Sequence, residues 1–355
     1  MKKISILHWT VSPIYLNSQG GLEVVELKQL AELNKFCDVK LFAPKIVGDI
    51  DNVFAIKHLG FLMKYDFFYY YNFVRINKDA DCYIGYNNPL LALFEPKKTV
   101  IYFQNFIKFF GDKSFLPFYS IFRNRYIKAK YIFCSDFLKT EFLLRYPDFD
   151  TSRLFVNYNG VENNPDERVD DFGKNKSIVF MGQWNYDKGF DLVLDCAEKL
   201  RKIRHDFTFH LIGSDTLWNN NKSLCKYKFD DCDYIKLVGK LEHNKLIDYI
   251  RNKDILLVPA RWNEPFGIVA IEGLAAGMIV LTSGVGGLKD IIKNDYNGFI
   301  FKTENITDLV KSLNEILSLD LDKINLLRKN GYLDVNNKFS WEIHIKKLWD
   351  ILNHD

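Results

Sequence analysis

Short apolar or β-branched runs alternate with helical periodicity along almost the whole chain, and this alternation restricts the fold more than any other feature. Strand, helix and strand in succession build parallel sheet, so the chain reads as α/β. In the first half the strands fall near Ile4–His8, Val39–Phe42, Asp81–Gly85, Val100–Phe103, Tyr131–Cys134 and Phe155–Asn157. In the second they fall near Ser177–Met181, Phe207–Ile212, Ile235–Val238, Ile255–Val258, Met278–Thr282 and Phe299–Phe301. Helices are expected at about Phe190–Arg204, Asn244–Arg251, Phe266–Ala276 and Asn305–Leu319. The helix after the first strand follows Gly20-Gly21, with Leu22, Val25, Leu30 and Leu33 at helical spacing.

Residues 162–171 are polar, contain Pro165 and lack periodicity, which predicts a linker over 163–176. The chain of 355 residues then divides into two doubly wound domains, 1–162 and 177–339. Their facing halves create an interdomain cleft, a common place for ligands. Hydrophobic residues make up 48% and charged residues 26%, which excludes a disordered chain. No run reaches the roughly 20 apolar residues of a spanning helix, so the expected location is cytoplasmic. The six cysteines have no metal spacing and read as reduced thiols. Net charge is +5 over residues 1–162 and −2 over the remainder. The first half thus suits an anionic partner, without the dense basic stripe of a nucleic-acid binder.

The most informative segment runs from Pro259 to Gly277. A strand ends at Pro259, a loop carries Arg261 and Glu264, and Pro265 suits the first turn of a helix capped by Gly277. Backbone N–H groups of Phe266, Gly267 and Ile268 at such a helix start attract phosphate or orient sugar hydroxyls. Glu272 falls within the first two turns, where a carboxylate can accept two hydrogen bonds from a vicinal diol such as ribose. Solvated helix-start acids are the plainer account of Glu264 and Glu272. That account leaves unexplained why Glu272 sits among small, uncharged residues, which imply a lined cleft.

With its two glutamates separated by seven residues, the chain resembles the retaining GT-B glycosyltransferases, in particular glycosyltransferase family 4. Further segments carry the resemblance: Gly20-Gly21-Leu22-Glu23, Ser135 to Lys139, Val156 to Glu162, Met181 to Gly189, and Ser283-Gly284-Val285-Gly286-Gly287. It implies a nucleotide-sugar donor across the second domain, its diphosphate near Lys188, its ribose on Glu272 and its sugar by Glu264. Lys188 and Glu264 become the catalytic candidates, since an ammonium neutralises charge as the nucleotide leaves. Gly20 and Gly21 would close on phosphate or sugar, and Gly213 and the Lys240-Leu241 loop would hold the base. Phe339-Ser340-Trp341 and the helix Ile343–Leu352 look like the terminal segment, 340–355, that returns to the first domain, with closure hinged near the linker.

The sequence departs from the family at two points. Gln183 stands where an arginine is common, with Arg261 as a substitute cation, and the segment Tyr102 to Asn105 lacks the histidine often found there. His8 reads as a packed strand-end histidine and His243 as a loop residue. No acidic cluster lies near the phosphate loops, so neither a metal nor any other cofactor is expected.

Residues 106–130 hold eight aromatic and six basic residues against one acid. Phe115, Phe118, Tyr119, Phe122 and Tyr126 at helical spacing describe a helix packed by its aromatic side. The alternative is a surface for anionic lipid and a lipid-linked acceptor, carried by Lys108, Arg123, Arg125 and Lys128 and extended by residues 67–71. The resemblance implies transfer of a sugar to a glycan or lipid-linked hydroxyl with retained configuration, in bacterial polysaccharide or lipopolysaccharide assembly, at the inner face of the membrane. Competing readings are a non-catalytic nucleotide-sugar binder and a GT-B-type nucleotide-sugar epimerase.

Overall fold

The computed structural model describes residues 1–8, 14–15, 21–56, 67–106, 108–109, 112–113, 115–162, 175–214 and 232–354. Two units emerge, Met1–Gly160 with Glu342–Asp355, and Val161–Trp341. Most of the expected linker, 163–174, lies outside the described residues, and Lys176 already belongs to a strand.

The first unit is built on strands β1 (Lys3–Leu7), β2 (Asp38–Ala43), β3 (Val53–Ala55), β4 (Cys82–Tyr86), β5 (Thr99–Phe103), β6 (Lys130–Phe133) and β7 (Leu154–Val156). They form one parallel sheet in the order β7-β6-β5-β4-β1-β2-β3. Helices α1 (Gly21–Leu33), α2 (Phe67–Ile76), α3 (Tyr119–Tyr126) and α4 (Asp136–Arg145) connect them. At the start of α4 the Ser135 hydroxyl accepts from Leu138 N at 3.0 Å, satisfying a donor the helix leaves unpaired. Phe142 on α4 lies 5.0–6.1 Å, centroid to centroid, from the rings of Phe103, Phe115, Tyr131, Phe133, Tyr146 and Phe149. Much of the aromatic content is therefore packing material in this core.

The second sheet comprises β8 (Lys176–Met181), β9 (Phe207–Ile212), β10 (Ile235–Gly239), β11 (Ile255–Val258), β12 (Ile279–Thr282) and β13 (Gly298–Ile300). It too is parallel, ordered β10-β9-β8-β11-β12-β13. Its central strands β11 and β12 are buried at every position, as strands covered on both faces must be. Around them lie α5 (Phe190–Arg201), α6 (His243–Ile250), α7 (Ile268–Ala275), α8 (Leu288–Ile291), α9 (Ile306–Ile316) and α10 (Leu321–Asp334). Helix α5 buries Leu192, Val193, Cys196, Ala197 and Leu200 into this core.

The last helix, α11 (Trp341–Asn353), belongs to the first unit from Glu342 onward. There His344 is buried, its Nδ1 2.6 Å from Tyr158 O and its Nε2 2.6 Å from Gln29 Nε2. Val161 N donates to Phe339 O at 2.8 Å and Val161 bridges to Ser340. Val161, Glu162, Ser340 and Trp341 fall in the second unit.

Candidate active site

In a doubly wound sheet, ligands bind outside the carboxyl ends of the strands where the strand order reverses. In the second sheet that point lies between β8 and β11. The loops leaving those two strands are 182–189 and 259–267, which hold Lys188 and Glu264.

Hydrogen bonds fasten these loops to each other and to the loop after β12. Arg261 N donates to Asp187 O at 2.8 Å, Ser283 Oγ to Ala260 O at 2.6 Å and Gly287 N to Glu264 O at 2.7 Å. Gly286, at φ +62°, lets the third loop close up, because a Cβ there would lie 2.3 Å from Glu264 O. Lys188 N donates to Asn185 Oδ1 at 2.9 Å, which shapes the turn before α5.

Glu264 is buried, and its Oε1 accepts from the Lys188 ammonium and from Trp262 Nε1, the latter at 2.8 Å. Lys188 Nζ also lies over the Trp262 ring, 4.9 Å from its centroid. Lys188, Trp262 and Glu264 thus form one cluster; sequence reasoning selected the first and last and missed the tryptophan.

Glu272 occupies the middle of α7, with 7% of its side chain exposed. Burial pushes its carboxyl up to about 7. Its one ionic neighbour among the described residues is His243, whose Nδ1 lies 3.7 Å from Oε1. Burial holds the His243 imidazole below its ordinary value, partly opposed by Glu162. His243 is thus the first residue of α6 and faces Glu272, where the sequence suggested a loop residue. Its place just after the Lys240-Leu241 loop was the available signal.

Helix α7 starts at Ile268, two residues later than the proline at 265 suggested. Gly267 takes φ +111° as its N-cap, and a Cβ there would lie 2.5 Å from Leu288 Cδ2. Ile268 is then the first helical residue, while Phe266 is buried with its ring centroid 6.1 Å from that of Phe339. Arg261, the expected substitute cation, already has partners of its own. Its guanidinium grips Asp191 at 2.6 and 2.8 Å, lies 3.2 Å from Glu304 and stacks on Tyr186 at 3.8 Å. That bidentate pairing with a carboxylate occupies the fork.

Gln183 is exposed and accepts from Asn185 Nδ2 at 3.1 Å. Gly213 follows β9, donating its N–H to Gly239 O at 3.0 Å. Lys240 is exposed beyond β10, and Leu241 is half-buried. In the first unit Gly21 opens α1, while Gly20 lies outside the described residues, as does the side chain of Lys108.

The aromatic segment divides between the two expectations. Phe115 and Tyr126 are buried, whereas Phe118 and Ile121 project outward, Ile121 with 72% exposure. On α2, Tyr69, Tyr70 and Phe73 are buried and Phe67, Phe68 and Tyr71 exposed. Phe67 and Phe122 lie 6.5 Å apart between centroids, joining the two helices. Arg125 and Lys128 are exposed nearby in sequence, and Arg123 pairs with Asp148 at 2.6 Å.

Residues 163–334 match the family Glycosyl transferases group 1. That segment contains Lys188, Trp262, Glu264 and Glu272. Over 205 residues the chain is 29% identical to an uncharacterized glycosyltransferase of Methanocaldococcus jannaschii, covering 57% of this chain and 55% of that protein. It spans about half the length of the curated relatives it matches. Among solved structures it is similar to WaaG, a glycosyltransferase involved in lipopolysaccharide biosynthesis, with TM-score 0.72 and 16% identity over 99% of this chain and 100% of that one. Anabaena HepE, solved in complex with UDP and glucose, gives TM-score 0.73 and 16% identity over 99% of both chains. The fold is accordingly that of the GT-B glycosyltransferases, with two parallel-sheet α/β domains.

Proposed function

We propose that this chain is a glycosyltransferase that moves a sugar from a nucleoside diphosphate to an acceptor hydroxyl with retained anomeric configuration. The observation that carries the reading is the Lys188–Glu264 pair at the strand-order reversal of the second sheet, in a chain whose Glu272 carboxylate is buried and receives no hydrogen bond from any described residue. Glu272 is suited to accept from the ribose diol, and Lys188 to take the diphosphate charge. In the transfer the bond from the sugar's anomeric carbon to phosphate oxygen breaks and its bond to the acceptor oxygen forms. The acceptor proton passes to the departing phosphate on the same face. Lys188 stabilises the leaving charge, and Glu264 stands beside the donor sugar.

WaaG's lipopolysaccharide role supports a setting in bacterial surface-polysaccharide assembly, with a glycan or lipid-linked acceptor. The exposed aromatic and basic side chains of α2 and α3 support docking on the anionic inner face of the cell membrane. No helix among the described residues is long and apolar enough to cross a membrane.

A thermal-shift panel of UDP-, GDP-, ADP- and dTDP-sugars tests the donor site. A ligand at 100 times its Kd stabilises by about 2.7 kcal/mol. One base family should raise Tm, Glu272→Ala should remove the shift, and Glu264→Gln should keep it while lowering kcat about 10²–10³-fold. Turnover is expected to persist in excess chelator, with the product anomer read by NMR. An unchanged rate in Glu264→Gln contradicts the assignment.

A further inference from the structure

Trp262 touches both members of the Lys188–Glu264 pair. Its Nε1 donates to Glu264 Oε1 at 2.8 Å, the same oxygen that receives the Lys188 ammonium. Its ring face lies 4.9 Å from Lys188 Nζ, within cation–π range. The tryptophan is half-buried, and its own N–H approaches Asp187 O at 3.4 Å, so its backbone is tied to the loop carrying Lys188.

We infer that Trp262 is a positioning residue that keeps Glu264 fixed while Lys188 changes partners. The inference rests on the donor reading above and extends it. Without donor, the Lys188 charge is answered by Glu264 and by the indole face. A diphosphate offers that ammonium two anionic oxygens or more, and draws it from the single oxygen it now shares. Glu264 Oε1 would then lose one of its two donors. The Trp262 N–H is the donor that stays, because it reaches Glu264 from only two residues away on the same loop. A carboxylate beside the donor sugar therefore keeps its orientation at the moment its counter-ion leaves, which is the geometric condition for acting on a developing charge. The indole meanwhile exchanges a cation over its face for a different field, so its emission should report the handover.

Two substitutions separate the roles of ring and N–H. Trp262→Phe keeps an aromatic face for Lys188 and deletes the donor; Trp262→Leu deletes both. With whichever of UDP-glucose, GDP-mannose, ADP-glucose or dTDP-glucose supports turnover, Trp262→Phe should lower kcat about tenfold and change donor KM less than twofold. Trp262→Leu should lower kcat similarly and also raise donor KM several-fold. Titrating wild-type protein with that sugar nucleotide should change tryptophan emission saturably, and the change should be absent in Trp262→Phe and in Lys188→Ala. Wild-type kcat in Trp262→Phe overturns the inference, as does an equal rise in KM for both variants. Either result leaves the donor reading intact if Glu264→Gln has lost turnover. No turnover or emission change in the wild type with any of the four removes the donor reading and this inference together.

Discussion

At the level of single residues, the carboxyl of Glu272 stands apart because burial pushes it up to about 7. His243, the ionisable group that α6 turns toward it, is itself disfavoured as a cation by burial, and Glu162 acts on it in the opposite sense. An acid whose folded value is raised stabilises the protein below its unfolded value, and that contribution is lost as pH rises through the folded one. Between about pH 4.5 and about 7, wild-type stability should therefore decline relative to Glu272→Gln. A shift of this size corresponds to about 3 kcal/mol at most. Nucleotide binding should run the other way, because the ribose diol donates to the ionised form. Calorimetric titration from pH 5.5 to 8.5 should show affinity falling below about pH 7 in the wild type and nearly constant in Glu272→Gln; a flat wild-type profile would refute the diol assignment.

Among elements, the three loops at the carboxyl edges of β8, β11 and β12 act as one body, since each is hydrogen-bonded to its neighbour. Gly286→Ala is the direct test, because the new Cβ would meet the Glu264 backbone at 2.3 Å. The expected result is a loss of about 1–3 kcal/mol in stability, read by denaturant unfolding, with a larger proportional loss of turnover. Legibility in the sequence followed periodicity. The central strands, buried on both faces, read as continuous apolar runs, and the α/β class followed from their alternation with helices. Helix α10 was missed because its apolar residues point several ways: Ile324 and Leu327 are buried while Leu321, Leu326 and Leu333 are exposed. Strand β3 was missed because three residues at a sheet edge have no measurable period. Lys188 and Glu264 could be named from the family resemblance of the segments that carry them, but Trp262 could not. Its role depends on two loops meeting, and one-dimensional spacing does not encode that meeting. The partners of Arg261 were hidden for a related reason, because Asp191 and Glu304 approach it from elsewhere in the chain.

For the whole molecule, the +5 and −2 division of charge makes the first half the net-cationic part of the sequence. The outward side chains Phe67, Phe68, Tyr71, Phe118 and Ile121 add apolar groups to that positive balance. Co-sedimentation should show binding to vesicles with a third anionic lipid, loss of binding at high salt, and no binding to purely zwitterionic vesicles. Phe68→Ser with Ile121→Ser should weaken the association about tenfold without changing turnover on a soluble acceptor; equal indifference to both lipids would dismiss a membrane role.

The return of α11 to the first unit has a temporal consequence. Residues 161–341 lie between the two parts of that unit, so the second is in effect inserted into the first. On a ribosome adding about 5–20 residues per second, the pocket for His344 waits about 10–40 seconds before the residue that fills it is made. During that interval the second unit can complete its own core, while Tyr102 and Gln29 stand without the imidazole they later face and the Asn157 amide without the His344 carbonyl it donates to. The segment with Lys188, Trp262, Glu264 and Glu272 is thus ready to fold before the first unit can close.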